Sequence, residues 1–246
     1  SPVTPATTVE RSTPSATNAG SSAANVAATV TPGGEAGATG VVKVGGAVLS
    51  VFIDRERAGG VSDDELLAWV KRSAEIVSAW CGRFPVPDLR ISLFVESGDD
   101  VGYGEHQGGE VLRVYVGHDT DHGSLVDDWV MPHEMLHCAM PHVADEHRWM
   151  MEGLSQFAEP IARIEAGNKK ATSVFSFWRR AMRQARPEPD ETGLDATGTW
   201  ASTYWGGALF WLDVEVELSE ATHDDKGVRD CVKALLAHGG NSREKW

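Results

Sequence analysis

The chain has 246 residues, 41% hydrophobic and 24% charged, enough for one large domain or two small ones. Its formal net charge is −14, and residues 1–40 contribute only Glu10, Arg11 and Glu35, so about −13 falls on the remainder. That charge repels a nucleic-acid duplex or an anionic membrane and excludes both as electrostatic partners; no apolar run approaches the roughly 18 residues of a membrane span.

Residues 1–40 are about three quarters Ser, Thr, Ala, Pro or Gly, with no aromatic residue and no hydrophobic period. Such a stretch buries too little apolar surface to offset its ordering entropy, so it reads as a disordered tether ahead of one domain over 41–246. Tethers of this composition suit exported or surface-anchored proteins, and a start at Ser1 rather than Met fits a removed leader. Val41 to Phe52, β-branched and Gly-interrupted, predicts one or two strands. Ser62 with Glu65 forms a capping box, and Leu66, Leu67, Val70, Ala74, Val77 and Trp80 recur at helical spacing up to Cys81. A turn at Phe84 to Pro87 follows, and then strands at Leu89 to Val95 and Val111 to Val116.

Between those strands, Gly102 to Gly109 holds four glycines and predicts a loop whose backbone approaches something closely. His118, Asp119, Asp121 and His122 read as caps and turn residues before a helix. Pro132 interrupts the next apolar pattern, so the helix either starts afresh there or kinks, and Pro141 ends it. Trp149, Leu154, Phe157 and Ile161 give a following helix an apolar face with a kink at Pro160, and Val174 to Met182 gives another. After a polar loop at 187–198, Trp205 to Leu218 and Val228 to Ala237 supply two more. Strands first and helices afterwards, without βαβ alternation, argue for an α+β fold: a small N-terminal sheet with a helix, then a mainly helical part. Three cysteines are too few for a disulfide framework; an exported chain could close Cys81 to Cys231, while Cys138 reads as a small buried residue.

The chemistry concentrates in His133-Glu134-Met135-Leu136-His137. Residues four apart share a helix face, so the two imidazoles can reach one ion, and Glu134 stands beside it without having to bind it. This is the spacing of a zinc hydrolase that uses its glutamate as general base. Zinc then needs a third protein ligand and an open position for water. A third His six residues after His137, as in metzincins, is absent because position 143 is Val. His142 and His147 are near in sequence, but Glu152 is the favoured ligand. It stands early in the next helix beside Gly153, whose missing side chain lets two helices approach. Glu159, two turns along the same face, is a candidate to orient a ligand through a hydrogen bond.

His133-Glu134-x-x-His137 followed by Trp149 to Phe157, with its Glu152-Gly153-Leu154-Ser155, resembles the gluzincin metallopeptidases. It is most similar to the branch containing the glycyl aminopeptidases and aminopeptidase N. Tyr204-Trp205-Gly206-Gly207-Ala208 is similar to that branch's Tyr-x-Lys-Gly-Ala segment, and the resemblance covers roughly residues 80–240. It implies a thermolysin-like zincin subdomain with the active site between sheet and helices. It also implies one Zn²⁺ per chain on His133, His137 and Glu152, with Glu134 as base and Tyr204 as oxyanion donor. The Gly-rich loop is similar to the branch's substrate-amine motif, with Glu105 as its acid. Two departures stand out: Gly206 replaces the Lys, and the His137–Glu152 spacing is shorter than in aminopeptidase N. The implied activity is hydrolysis of a peptide or protein substrate, with an aminopeptidase reading first. A thermolysin-like endopeptidase and an inactive zinc-stabilised binding domain are the alternatives.

Overall fold

The computed structural model describes residues 28–32, 37–107, 110–185 and 192–240. Its sheet is built from β1 (Thr29–Pro32), β2 (Gly40–Val44), β3 (Ala47–Arg55), β4 (Asp88–Glu96), β5 (Val101–His106) and β6 (Val111–Gly117). They are arranged β1-β2-β3-β4-β6-β5, with β3, β4 and β6 parallel to one another and the outer pairings antiparallel. Leu89, Ile91, Leu93 and Val95 of β4 alternate into the core, as do Leu112, Val114 and Val116 of β6. Edge strand β5 stays half open.

Helix α1 (Asp63–Cys81) begins at Ser62, whose side chain accepts from Glu65 N–H while Glu65 answers the Ser62 N–H. It ends on Gly82 at φ 81°, a left-handed position that suits glycine. Its apolar face, including Leu66, Val70, Val77 and Trp80, is buried. Because α1 joins β3 to the parallel β4, the sheet contains a βαβ crossover that the sequence reading did not anticipate. One crossover within a mixed sheet, with the remaining helices following in series, keeps the architecture within the α+β class.

The helical part comprises α2 (His122–Asp127), α3 (Val130–His137), α4 (Arg148–Glu165), α5 (Ala171–Ala181), α6 (Trp200–Thr222) and α7 (Val228–Ala237). As expected, Asp121 caps α2, accepting from Ser124 N–H. Helix α4 runs through Pro160 without a break. Among the described residues no helix is long and apolar enough to cross a membrane.

Three expectations change. Most of the tether lies outside the described residues, but Thr29–Pro32 pairs with β2 and Ala28 is buried, so ordered chain begins before residue 41. Cys81 and Cys231 are both free, the first buried and the second exposed, so no bridge joins them; Cys138 is buried as anticipated. Gly153 does admit a neighbouring helix, but the neighbour is α6. A Cβ on Gly153 would lie 2.3 Å from the carbonyl carbon of Gly207, and one on Gly207 would lie 2.8 Å from the Gly153 Cα. The two glycines let α4 and α6 cross backbone to backbone.

Candidate metal centre

The first histidine is positioned by a cap. Asp128 accepts from the N–H groups of Val130 at 2.8 Å and Met131 at 3.0 Å, and from the Trp69 indole of α1 at 3.0 Å. Burial holds the Asp128 carboxyl above its ordinary value, outweighing the downward pull of those N–H groups. With α3 starting at Val130, Pro132 falls in the first turn, where its missing N–H has no intrahelical partner to lose. The helix therefore starts afresh rather than kinking. His133 and His137 lie on one face, their rings edge to face at 5.0 Å.

Glu152 comes from the second turn of α4, and its Oε2 is 3.3 Å from His133 Nε2 and 3.4 Å from His137 Nε2. One atom from each of the three buried residues falls within 4.8 Å of the others. Burial raises the Glu152 carboxyl, but hydrogen bonds and charge from the two imidazoles outweigh it and hold the group well below the usual range. Its other oxygen, Oε1, accepts from Arg148 Nε at 3.1 Å. Two imidazole nitrogens and one carboxylate oxygen converging on one point, with an open cleft beyond, are the donor set of a catalytic rather than a structural zinc site. His142 is exposed on the cleft rim and His147 is held by Asp195, so neither joins the three.

Glu134 is buried with its Oε2 3.8 Å from His137 Nε2. Burial raises its carboxyl to about 7; the His137 charge lowers it, Glu152 raises it, and a hydrogen bond from the His106 backbone lowers it. Edge strand β5 lies directly against this side chain: a Cβ on Gly104 would sit 2.4 Å from Glu134 Cγ. The glycine-rich segment is thus a strand rather than a loop over 101–106, and the close approach read from it is to Glu134.

Tyr204, in the first turns of α6, stacks on the His133 ring at 5.7 Å and 6°. Burial, together with the Glu152 carboxylate, pushes its phenol well above the ordinary tyrosine value, so the hydroxyl keeps its proton. Glu105, exposed on β5, lines the same cleft, its carboxylate accepting from Gln107 at 3.1 Å. The cleft measures about 580 Å³, with His106, Glu134, His137, Glu152 and Tyr204 among its walls.

Glu159 is the correction among the site residues. It is buried, but its carboxylate takes a 2.8 Å hydrogen bond from Arg163, and no hydrogen bond from it to His133, His137 or Glu152 is present among the described residues. Ser155 makes the contact that was expected of Glu159, its Oγ 3.3 Å from His137 Nδ1. Ser155, Arg148 and Asp128 escaped the sequence reading. Helical spacing from Glu152 marks the first two, three residues after it and four before, and a capping-type residue ahead of Val130 marks the third.

No known sequence family matches the chain, and no curated protein does. Solved structures do. An aminopeptidase N family protein from Idiomarina loihiensis superposes with a TM-score of 0.61 at 13% identity, over 87% of this chain and 41% of that one. An M1 zinc metallopeptidase from Deinococcus radiodurans gives 0.53 at 14% identity, over 86% and 44%. A mutant of the Deinococcus enzyme bound to a Tyr-Ser-Ala substrate gives 0.52 at 14% identity, over 87% and 46%. The chain thus spans less than half the length of these proteins, and over most of its own length it shares the fold of M1 zinc metallopeptidases.

Proposed function

We propose that the protein is a zinc-dependent peptidase that cleaves peptide bonds with a water molecule deprotonated by Glu134. His133, His137 and Glu152 would hold the ion, which when bound supplies a Lewis acid that brings the pKa of a bound water toward 7. The observation that carries the reading is the position of Glu134. Glu152 already spans both imidazoles, so Glu134, buried and 3.8 Å from His137, is left over for acid–base work. A purely structural site has no use for such a group, which argues against an inactive binding domain.

In this reading Glu134 takes the proton of the attacking water and passes it to the leaving amine. The Tyr204 hydroxyl, protonated and beside Glu152, donates to the oxygen that gains negative charge. Arg148 fixes the Glu152 carboxylate from the cleft side. Glu105 stands in the same cleft for a substrate's free amino group, and the likeness of fold to an aminopeptidase N family protein favours that assignment. An endopeptidase reading draws on the exposure of Glu105 and its existing bond to Gln107. Peptides with free and acetylated N-termini separate the two.

Glu134→Gln should retain about one zinc per chain by elemental analysis while kcat/KM falls by at least about a hundredfold. Glu152→Ala should lose the metal. Undiminished hydrolysis in the glutamine variant would overturn the mechanism.

A further inference from the structure

A second cleft of about 450 Å³ lies between α4, α5 and the start of α6. Its walls are aromatic: Trp129, Phe177, Trp178, Trp200 and Trp205. Two of these rings touch the candidate active site. Trp129 meets His133 edge to face at 5.4 Å, and Trp200 stacks on Tyr204 at 4.6 Å. Anything seated in the cleft is therefore one ring away from the reacting centre.

We propose that this cleft receives the side chain of a substrate residue flanking the scissile bond and selects a bulky aromatic one; the proposal rests on the peptidase reading above. The first argument is exposure. Trp129 is 43%, Phe177 50% and Trp200 54% exposed around one opening, an apolar area that marks a binding surface. The second is electrostatic. Every charged group in the walls already has a partner within the fold: Glu159 with Arg163, and Asp127 with Lys169. The cleft thus offers no free charge to a lysine or an aspartate side chain, and desolvating one there would go uncompensated. The first cleft, with Glu105, Glu134 and Glu152, has the opposite character. The third is size. The volume falls in the range of small-ligand pockets, room for an indole or phenol that a methyl group would leave mostly empty.

The test uses the zinc-loaded chain and short peptides carrying Ala, Leu, Phe, Trp, Lys or Asp at each position flanking the cleaved bond. Phe and Trp should exceed Ala in kcat/KM by about tenfold or more at one of the two positions, with Lys and Asp below Ala. Ser173→Trp, which places a ring at the mouth of the cleft, should collapse the Phe-to-Ala ratio toward one, and Phe177→Ala should reduce it. In parallel, N-acetyl-tryptophanamide is titrated onto the metal-free protein by NMR, where saturable binding weakened by Ser173→Trp is expected. Cleavage without aromatic preference at either position overturns the cleft proposal and leaves the peptidase reading standing. So does a preference that Ser173→Trp and Phe177→Ala leave intact. Absence of cleavage of every peptide by zinc-loaded protein overturns the peptidase reading and this assignment with it, whatever the titration shows.

Discussion

Gly104 and Glu134 are one unit. The Glu134 carboxylate, proposed above to move protons, occupies the volume that a side chain at 104 would fill, and the neighbouring His106 backbone holds it in place. Gly104→Ala should therefore leave the metal bound, because the atoms nearest a Cβ at 104 belong to Glu134 and Val130 rather than to His133, His137 or Glu152. It should cut turnover by about a hundredfold or more, through displacement of the base from its reach. Zinc analysis beside a peptide assay checks this, and parallel loss of metal and activity would refute the division of labour. His133 and His137 were legible as a pair because helical spacing is itself a geometric statement, and Glu152, which the structure brings beside them, was read from its place early in the next helix next to Gly153. Arg148 and Ser155 were not, since an Arg and a Ser near a ligand are ordinary helix residues until the facing helix is in place. Glu159 shows the limit of that logic. Two turns from Glu152 on the same face, it meets Arg163 because the helix has by then passed the metal site.

The α4–α6 crossing matters more than either helix alone, because it sets the distance between Glu152 and Tyr204. At Gly153 and Gly207 the two backbones touch, so a methyl group has nowhere to go. Gly153→Ala should cost about 1–3 kcal/mol in denaturant unfolding through overpacking. Whatever folds should show a lower kcat, because α6 carries Tyr204 away as it moves. A variant of full stability and full turnover would mean that the helices are not held at this distance. Asp195 ties the segment before α6 to α4 near the same place, accepting from Trp149 Nε1 at 2.6 Å and lying 2.8 Å from His147 Nδ1. Helix boundaries could be read from caps and apolar spacing. The identity of the helix facing Gly153 could not, because a glycine records that something comes close without saying what. The parallel β3–β4 pairing was missed for a related reason: strand spacing in sequence is silent about direction, and only the path of α1 across the sheet fixes it.

Across the whole molecule, metal and fold should be linked. The three proposed ligands come from two helices, α3 and α4, that must be packed together for the site to exist, so zinc should bind the folded chain in preference to the unfolded one. Removing zinc with a chelator should lower the melting temperature, restoring zinc should bring it back, and Glu152→Ala should abolish the difference. An identical melting temperature with and without metal would place the ion outside the packed structure.

The Gly153–Gly207 contact also bears on the order of events during folding. His133 and Glu152 are 19 residues apart, so the loop that brings the ligands together closes cheaply. Tyr204 arrives only when a later helix docks against α4 at that glycine pair. A chain refolding from denaturant should therefore recover its affinity for zinc before it recovers turnover. The lag between the two in a stopped-flow experiment would time the closing of that single helix crossing.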